Sequence, residues 1–154
     1  MAKDPLLTVL KLAQEAEEQA ALKLKAAQLE HQRRNAQLQA LNGYRLDYMK
    51  QLSDKQGQQI RAEAYQQFHR FIQQIDSAIK QQNAVVHDAE QQKLHRQKYW
   101  LEKQQKRKAV ELLLAKKAAA AEAKQLKQEQ KMTDEFASQQ FYCRKRNTND
   151  LNEY

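Results

Sequence analysis

Four histidines, one cysteine and 19 carboxylates are the groups from which this chain could build reactive chemistry. Their spacing builds little. His31, His69, His87 and His95 contain no i,i+4 pair, so no two imidazoles stack on one helix face as a helical zinc site requires. His87 and Glu90 stand three apart, the spacing of a carboxylate-bridged bundle metal, but no second copy supplies the other ligands. Cys143 is followed by Arg144, Lys145 and Arg146, cations that lower a thiol pKa, yet it has no base and orienting partner beside it. A single cysteine also rules out an internal disulfide and fits a reducing compartment. The only glycines, Gly43 and Gly57, stand apart and form no phosphate loop. The expectation is a non-enzyme with no catalytic, metal or cofactor-binding residue.

Two surface features carry more. Between Gln91 and Lys131 there are twelve Lys/Arg against Glu102, Glu111, Glu122 and Glu129, the main source of a net charge of +8. Such a stretch can meet nucleic acid, an anionic surface or an acidic protein face, or it can simply keep a helix hydrated. Aromatic side chains cluster elsewhere. Tyr44 and Tyr48 lie one turn apart, and Tyr65, Phe68, Phe71 and Ile72 follow after a polar break. Phe71 and Ile72 are neighbours, about 100° apart on a helix, and cannot both face one partner helix. Phe71, with Ile75 and Ala78 at i+4 and i+7, therefore reads as an apolar strip beside the seam, fit for a partner.

The elements that must hold these groups follow from composition. The 154 residues include 2 Gly and 1 Pro, too few for the turns of a sheet protein. Leu, Ile, Val and Phe make up under a fifth of the chain, and the mean hydropathy is −1.01. Ala, Gln, Lys, Glu, Leu and Arg, all strong helix formers, dominate. Low apolar content with high helix propensity gives long, thin, exposed helices. No stretch approaches ~18 consecutive apolar residues, and the first residues carry acids where a secretory signal needs an apolar run. A soluble cytoplasmic chain, or one held at a membrane only through other proteins, is expected.

Asp4-Pro5 suits the N-cap and first position of a helix over 4–52. Its apolar stripe runs Leu6, Leu10, Ala13, Ala20, Leu24, Ala27, Leu38, Leu41, Tyr48 and Leu52, interrupted by Glu17, His31, Arg34 and Arg45. Residues 53–59, with Asp54 and Gly57 and no apolar side chain, read as the turn. Gly43 sits within continuing helical spacing and is expected inside the helix. The second helix, 60–138, repeats Ile72, Ile79, Val86, Trp100, Leu114 and Ala121 in heptads, with Lys93 and Arg107 on the missing beats. A companion row holds Phe68, Ile75, Ala89 and Val110. About 75 residues at 1.5 Å rise reach roughly 110 Å, against roughly 70 Å for the first helix. An antiparallel hairpin of unequal helices results, its basic Lys103–Lys131 end projecting unpaired. Residues 139–154 read as a polar, disordered tail.

Four blocks resemble the flagellar FliJ family: Leu41-x-x-Tyr44-x-x-x-Tyr48, Phe71–Gln82, Tyr99-Trp100-x-x-Lys103 and Gln130–Ala137. The resemblance implies an all-α, long antiparallel two-helix coiled-coil hairpin similar to the central stalk subunit of rotary ATPases. It implies a cytoplasmic, non-catalytic part of flagellar type III export, serving flagellum biogenesis and thereby chemotaxis. That part would be peripheral at the inner membrane through the export apparatus. The partners it implies are the export ATPase hexamer, the cytoplasmic domain of the export gate and export chaperones. The family's partner surface maps to Gln37, Leu41, Tyr44 and Tyr48 and to Phe71, Ile75, Ala78 and Gln82. The basic end, with Lys103, Lys106, Arg107, Lys108, Lys116 and Lys117, would face the ATPase ring. The stalk of a virulence injectisome has the same shape and is the alternative within this class. A nucleic-acid-binding coiled coil is the alternative outside it, weakened because Lys and Arg are diluted by Ala, Leu and Glu.

These readings expect a nearly all-helical circular dichroism spectrum and a hydrodynamic radius well above that of an 18.1 kDa globule. A compact profile containing sheet would overturn them.

Overall fold

The computed structural model describes residues 4–55 and 61–152, and among them there are two helices and no strand. α1 spans Pro5–Lys55, 51 residues, and α2 spans Ala62–Leu151, 90 residues. They pack against each other as an all-α hairpin. Asp4 caps α1: its Oδ1 accepts the Leu6 N–H at 3.0 Å, and Pro5 follows where a missing N–H does no harm. At the start of α2 the Arg61 carbonyl accepts the first helical bond, from the Tyr65 N–H at 3.2 Å. Glu63 in that first turn complements the helix dipole.

The chain forms two compact units. One holds Lys11–Arg107; the other holds the chain up to Leu10 together with α2 from Lys108 on. In the larger unit Glu17 pairs with Arg107, Arg34 with Gln82, Arg45 with Asp76 and Tyr48 with Phe71. Numbers climb on α1 as they fall on α2, so the helices run antiparallel. The core is a thin line of Ala13, Ala20, Leu52, Ile72 and Ile75. Every residue of the expected α1 stripe is buried or half-buried, and so are its four polar interruptions. On α2, Phe68, Ile79, Val86, Ala89 and Trp100 are half-buried, as are Lys93 and Arg107. With Ala at so many seam positions, each turn withdraws little apolar area from water, and stability per turn is low.

In the smaller unit Leu6, Leu10 and Leu114 are half-buried and Val110 is buried. Lys117 reaches Asp4 at 2.8 Å. From Ala115 to Asn152 every residue is exposed. Ala121, expected in the seam, is therefore outside it.

The helix ends differ from the sequence reading. α1 continues through Ser53, Asp54 and Lys55, because buried Leu52 anchors its last turn. Lys55 there complements the helix C-terminus and lies 5.0 Å over the Phe68 ring. The remainder of the expected turn, with Gly57, and the expected first residue of α2, Ile60, lie outside the described residues. Gly43 is helical, with no positive φ. α2 does not end at 138; it runs to Leu151. Extending an existing helix fixes one residue per bond gained, and neither Gly nor Pro opposes it. Thr148 donates its hydroxyl to the Arg144 carbonyl at 2.7 Å, which satisfies it without competing for a backbone N–H.

The Asp4 carboxyl is held below its ordinary value, first by the hydrogen bond from Lys117, then by the Leu6 N–H and the nearby Lys117 charge. A depressed carboxyl pKa stabilises the fold above the unfolded value, and this contribution is lost as pH falls through the folded one. An NMR titration should show Asp4 protonating below the ordinary carboxylate range, and Lys117→Ala should move it back up. An unchanged midpoint in the variant would remove Lys117 as the main cause.

Candidate functional site

Two groups of residues single themselves out. The first lies in the larger unit, where the aromatic blocks meet. Tyr48 on α1 stacks on Phe71 of α2 with ring centroids 4.7 Å apart and planes at 20°. Phe68 meets the same tyrosine edge-on at 6.0 Å. Tyr65 packs on His69 at 4.6 Å, one turn along α2. Tyr44, one turn before Tyr48, remains 60% exposed. One helix turn of spacing on α1 thus leaves one tyrosine in the aromatic cluster and one in water.

A polar frame holds this cluster. Arg45 Nε donates to Asp76 Oδ1 at 2.6 Å across the helices. Gln82 donates to the Arg34 carbonyl at 2.8 Å and to Gln37 Oε1 at 3.3 Å. Arg34 in turn donates to Glu30 at 2.7 Å and to Gln37 at 3.4 Å. A helical carbonyl already bonded within its own helix has a second lone pair, and Gln82 uses it.

The expected patch is therefore divided. Tyr48 and Phe71 are brought together, as are Gln37 and Gln82. Leu41 and Ala78 are half-buried beside the seam. Ile75 is a correction: it is 8% exposed and belongs to the core, not to a strip outside it. The reason is geometric, since Ile75 follows Ile72 by three residues and the two fill adjacent layers of one seam. Phe71 stays 45% exposed on its outer side and rests its inner face on Tyr48. The cross-helix bonds of Arg45 and Gln82 were not anticipated from sequence. Their signal was present, however: Arg45 interrupts an apolar stripe, and a charge on a seam needs a partner across it.

The second group is the basic end. Arg107 grips Glu17, with a second contact from Nη2 to the other carboxylate oxygen at 3.4 Å. Their side chains are 22% and 17% exposed, so the pair is largely withdrawn from water. Arg107 is thus a joint between the helices and not an outward cation. Lys103 lies 5.0 Å over the Tyr99 ring, half-buried. Lys117 is engaged with Asp4. Lys106, Lys108 and Lys116 are exposed. The expected projecting segment consequently begins after Lys117, not at Lys103. Beyond it Lys124, Lys127 and Lys131 stand in water.

Among the described residues no cluster of three or more His, Cys, Asp or Glu could hold a metal, and no helix is long and apolar enough to cross a membrane. Residues 2–146 match the family model described as flagellar FliJ protein, and the chain belongs to that family. It is a flagellar protein associated with protein export. No curated protein matches the sequence.

The division between core and patch predicts different melts. Ile72→Ala and Ile75→Ala should each cost about 2 kcal/mol or more as core truncations, and Phe71→Ala about 1 kcal/mol as a half-exposed stack. Thermal unfolding followed at 222 nm (the usual helix signal) measures all three. If Phe71→Ala melts like Ile72→Ala, Phe71 belongs to the core.

Proposed function

We propose that this chain is the stalk of the flagellar export apparatus, coupling the export ATPase hexamer to the cytoplasmic domain of the export gate and escorting export chaperones. The observation that carries the reading is the bare end of α2. Every residue from Ala115 to Asn152 is exposed, and the Lys117–Asp4 ion pair is the last contact that joins this helix to α1 among the described residues. It contains Lys116, Lys117, Lys124, Lys127 and Lys131 against Glu122 and Glu129 up to Lys131. Between the lysines lie four consecutive alanines, Ala118–Ala121. A ring lumen lined with acids suits such a surface. Long-range attraction brings the helix in, and the small side chains offer little to lock against any one subunit.

The gate would be met by the aromatic patch. Tyr48 and Phe71 are already stacked, so docking there orders few side chains, and Tyr44 adds an exposed ring one turn away. Ile75 lies in the core one turn from Phe71, and Gln82 bonds Arg34 and Gln37 farther along the seam. The chain would work in the cytoplasm and meet the inner membrane only through the export apparatus. It needs no cofactor and no nucleic acid for this role.

Reversing Lys124 and Lys127 to Glu should weaken binding to the export ATPase about tenfold and flatten its salt dependence, because both cations are exposed and unengaged in the fold. Tyr44→Ala should leave the melt unchanged and reduce capture of the gate domain. Unaltered ATPase binding by the first variant would reduce the basic face to a solubility feature. Unaltered gate capture by the second would place the gate contact elsewhere.

A further inference from the structure

Within the smaller unit one row of α2 turns from apolar to cationic at a fixed step. Val110 is buried, and at intervals of seven Lys117, Lys124 and Lys131 follow, then Ser138 and Lys145. A seven-residue step drifts only about 20° around a straight helix. Lys117, Lys124 and Lys131 therefore stand within about 40° of one line, about 10 Å apart along it. Ala121 and Gln128 fall between them, at the four- and three-residue steps of a coiled-coil seam.

Lysines that only keep a helix hydrated gain from carboxylates three or four residues away. Lys117, Lys124 and Lys127 have none there. Glu122 and Glu129 stand two residues from Lys124, Lys127 and Lys131, which turns them about 160° away. Lys127 also repeats the charge of Lys124 and Lys131 one turn from each, which disfavours the helix taken alone. Asp134 and Glu135 lie one turn beyond Lys131, yet among the described residues Lys124, Lys127 and Lys131 form no ion pair. The first rung shows what the ladder takes. Lys117 Nζ holds Asp4 Oδ2 at 2.8 Å, a carboxylate presented at the end of a packed helix. The later rungs are exposed, with no described residue of α1 over them.

We propose that an acidic helix of a partner protein, its carboxylates recurring every seven residues, lies along this ladder and gives one carboxylate to each lysine. This rests on the reading of the bare end as a surface for an acidic partner, and adds the form that the partner takes. The lysine stems supply apolar contact along the strip while their ammonium heads reach the carboxylates. A nucleic-acid duplex carries charge every ~1.7 Å and would draw on Lys116 and Lys127 as readily as on the ladder.

Titration of the full-length protein with two labelled helical peptides, followed by fluorescence anisotropy, tests this. Both contain the same Ala, Gln and Glu; in one the glutamates recur every seventh residue, and in the other they are spread around the helix. The first should bind about tenfold more tightly, and Lys124→Gln with Lys131→Gln should remove that preference. Lys116→Gln with Arg144→Gln takes the same charge from other faces and should leave it intact. All four side chains are exposed, so the helix signal should not change in either variant. Equal binding of the two peptides, or equal loss from the two variants, would overturn the proposal. Tighter binding of a DNA duplex than of the heptad peptide would also overturn it, in favour of phosphates. Capture of the export ATPase by the same variants separates this from the reading on which it rests. Equal reduction by both would overturn the ladder and keep a general basic face. Reduction by neither, with the peptide preference intact, would keep the ladder and remove the ATPase as its occupant.

Discussion

The structure depends on polar contacts across a seam that is otherwise nearly featureless. Alanine and glutamine recur along both helices, and one turn of such a surface packs much like the next. Slipping the helices by a turn would cost little buried area, because little is buried in any register. Glu17 with Arg107, Arg34 with Gln82 and Arg45 with Asp76 remove that freedom. Glu17 and Arg107 are the partly buried charges among them, and a slip that separated these two would be costly. A polar residue on a coiled-coil seam acts in this way, trading stability for a single alignment.

That alignment positions everything else. Tyr48 can stack on Phe71 only in the register that also places Arg45 against Asp76, three residues earlier on α1 and five later on α2. Gln82 joins the same frame from the other side by bonding the Arg34 backbone and Gln37. The aromatic patch is thus a consequence of the polar frame. The frame fixes the positions of these surface groups without a large core.

A thin core has a second effect, which is to leave most of each helix in water. In a globule an apolar outer row would be covered by another layer. Here α1 keeps Leu22 and Leu29 exposed, and α2 beyond Lys117 keeps all its side chains exposed. These faces are available to other chains, which fits membership of a family that works within flagellar export.

The sequence by itself determined the helices, their antiparallel pairing and the seam. Scarce Gly and Pro, abundant helix formers and three-four spacing are local properties, and they survive without knowledge of any contact. The α1 stripe was legible to the residue for the same reason. What the tertiary structure decided were the pairings across the seam, which depend on register. Register turned Arg107 from an outward cation into a partner of Glu17, moved Ile75 from the patch into the core and engaged Lys117 with Asp4. It also set where α2 loses its partner, after Lys117. The far end of α2 is not legible in the sequence for a different reason. Residues 139–151 are polar and bury nothing, but a helix already nucleated extends at small cost, and no Gly or Pro stops it there.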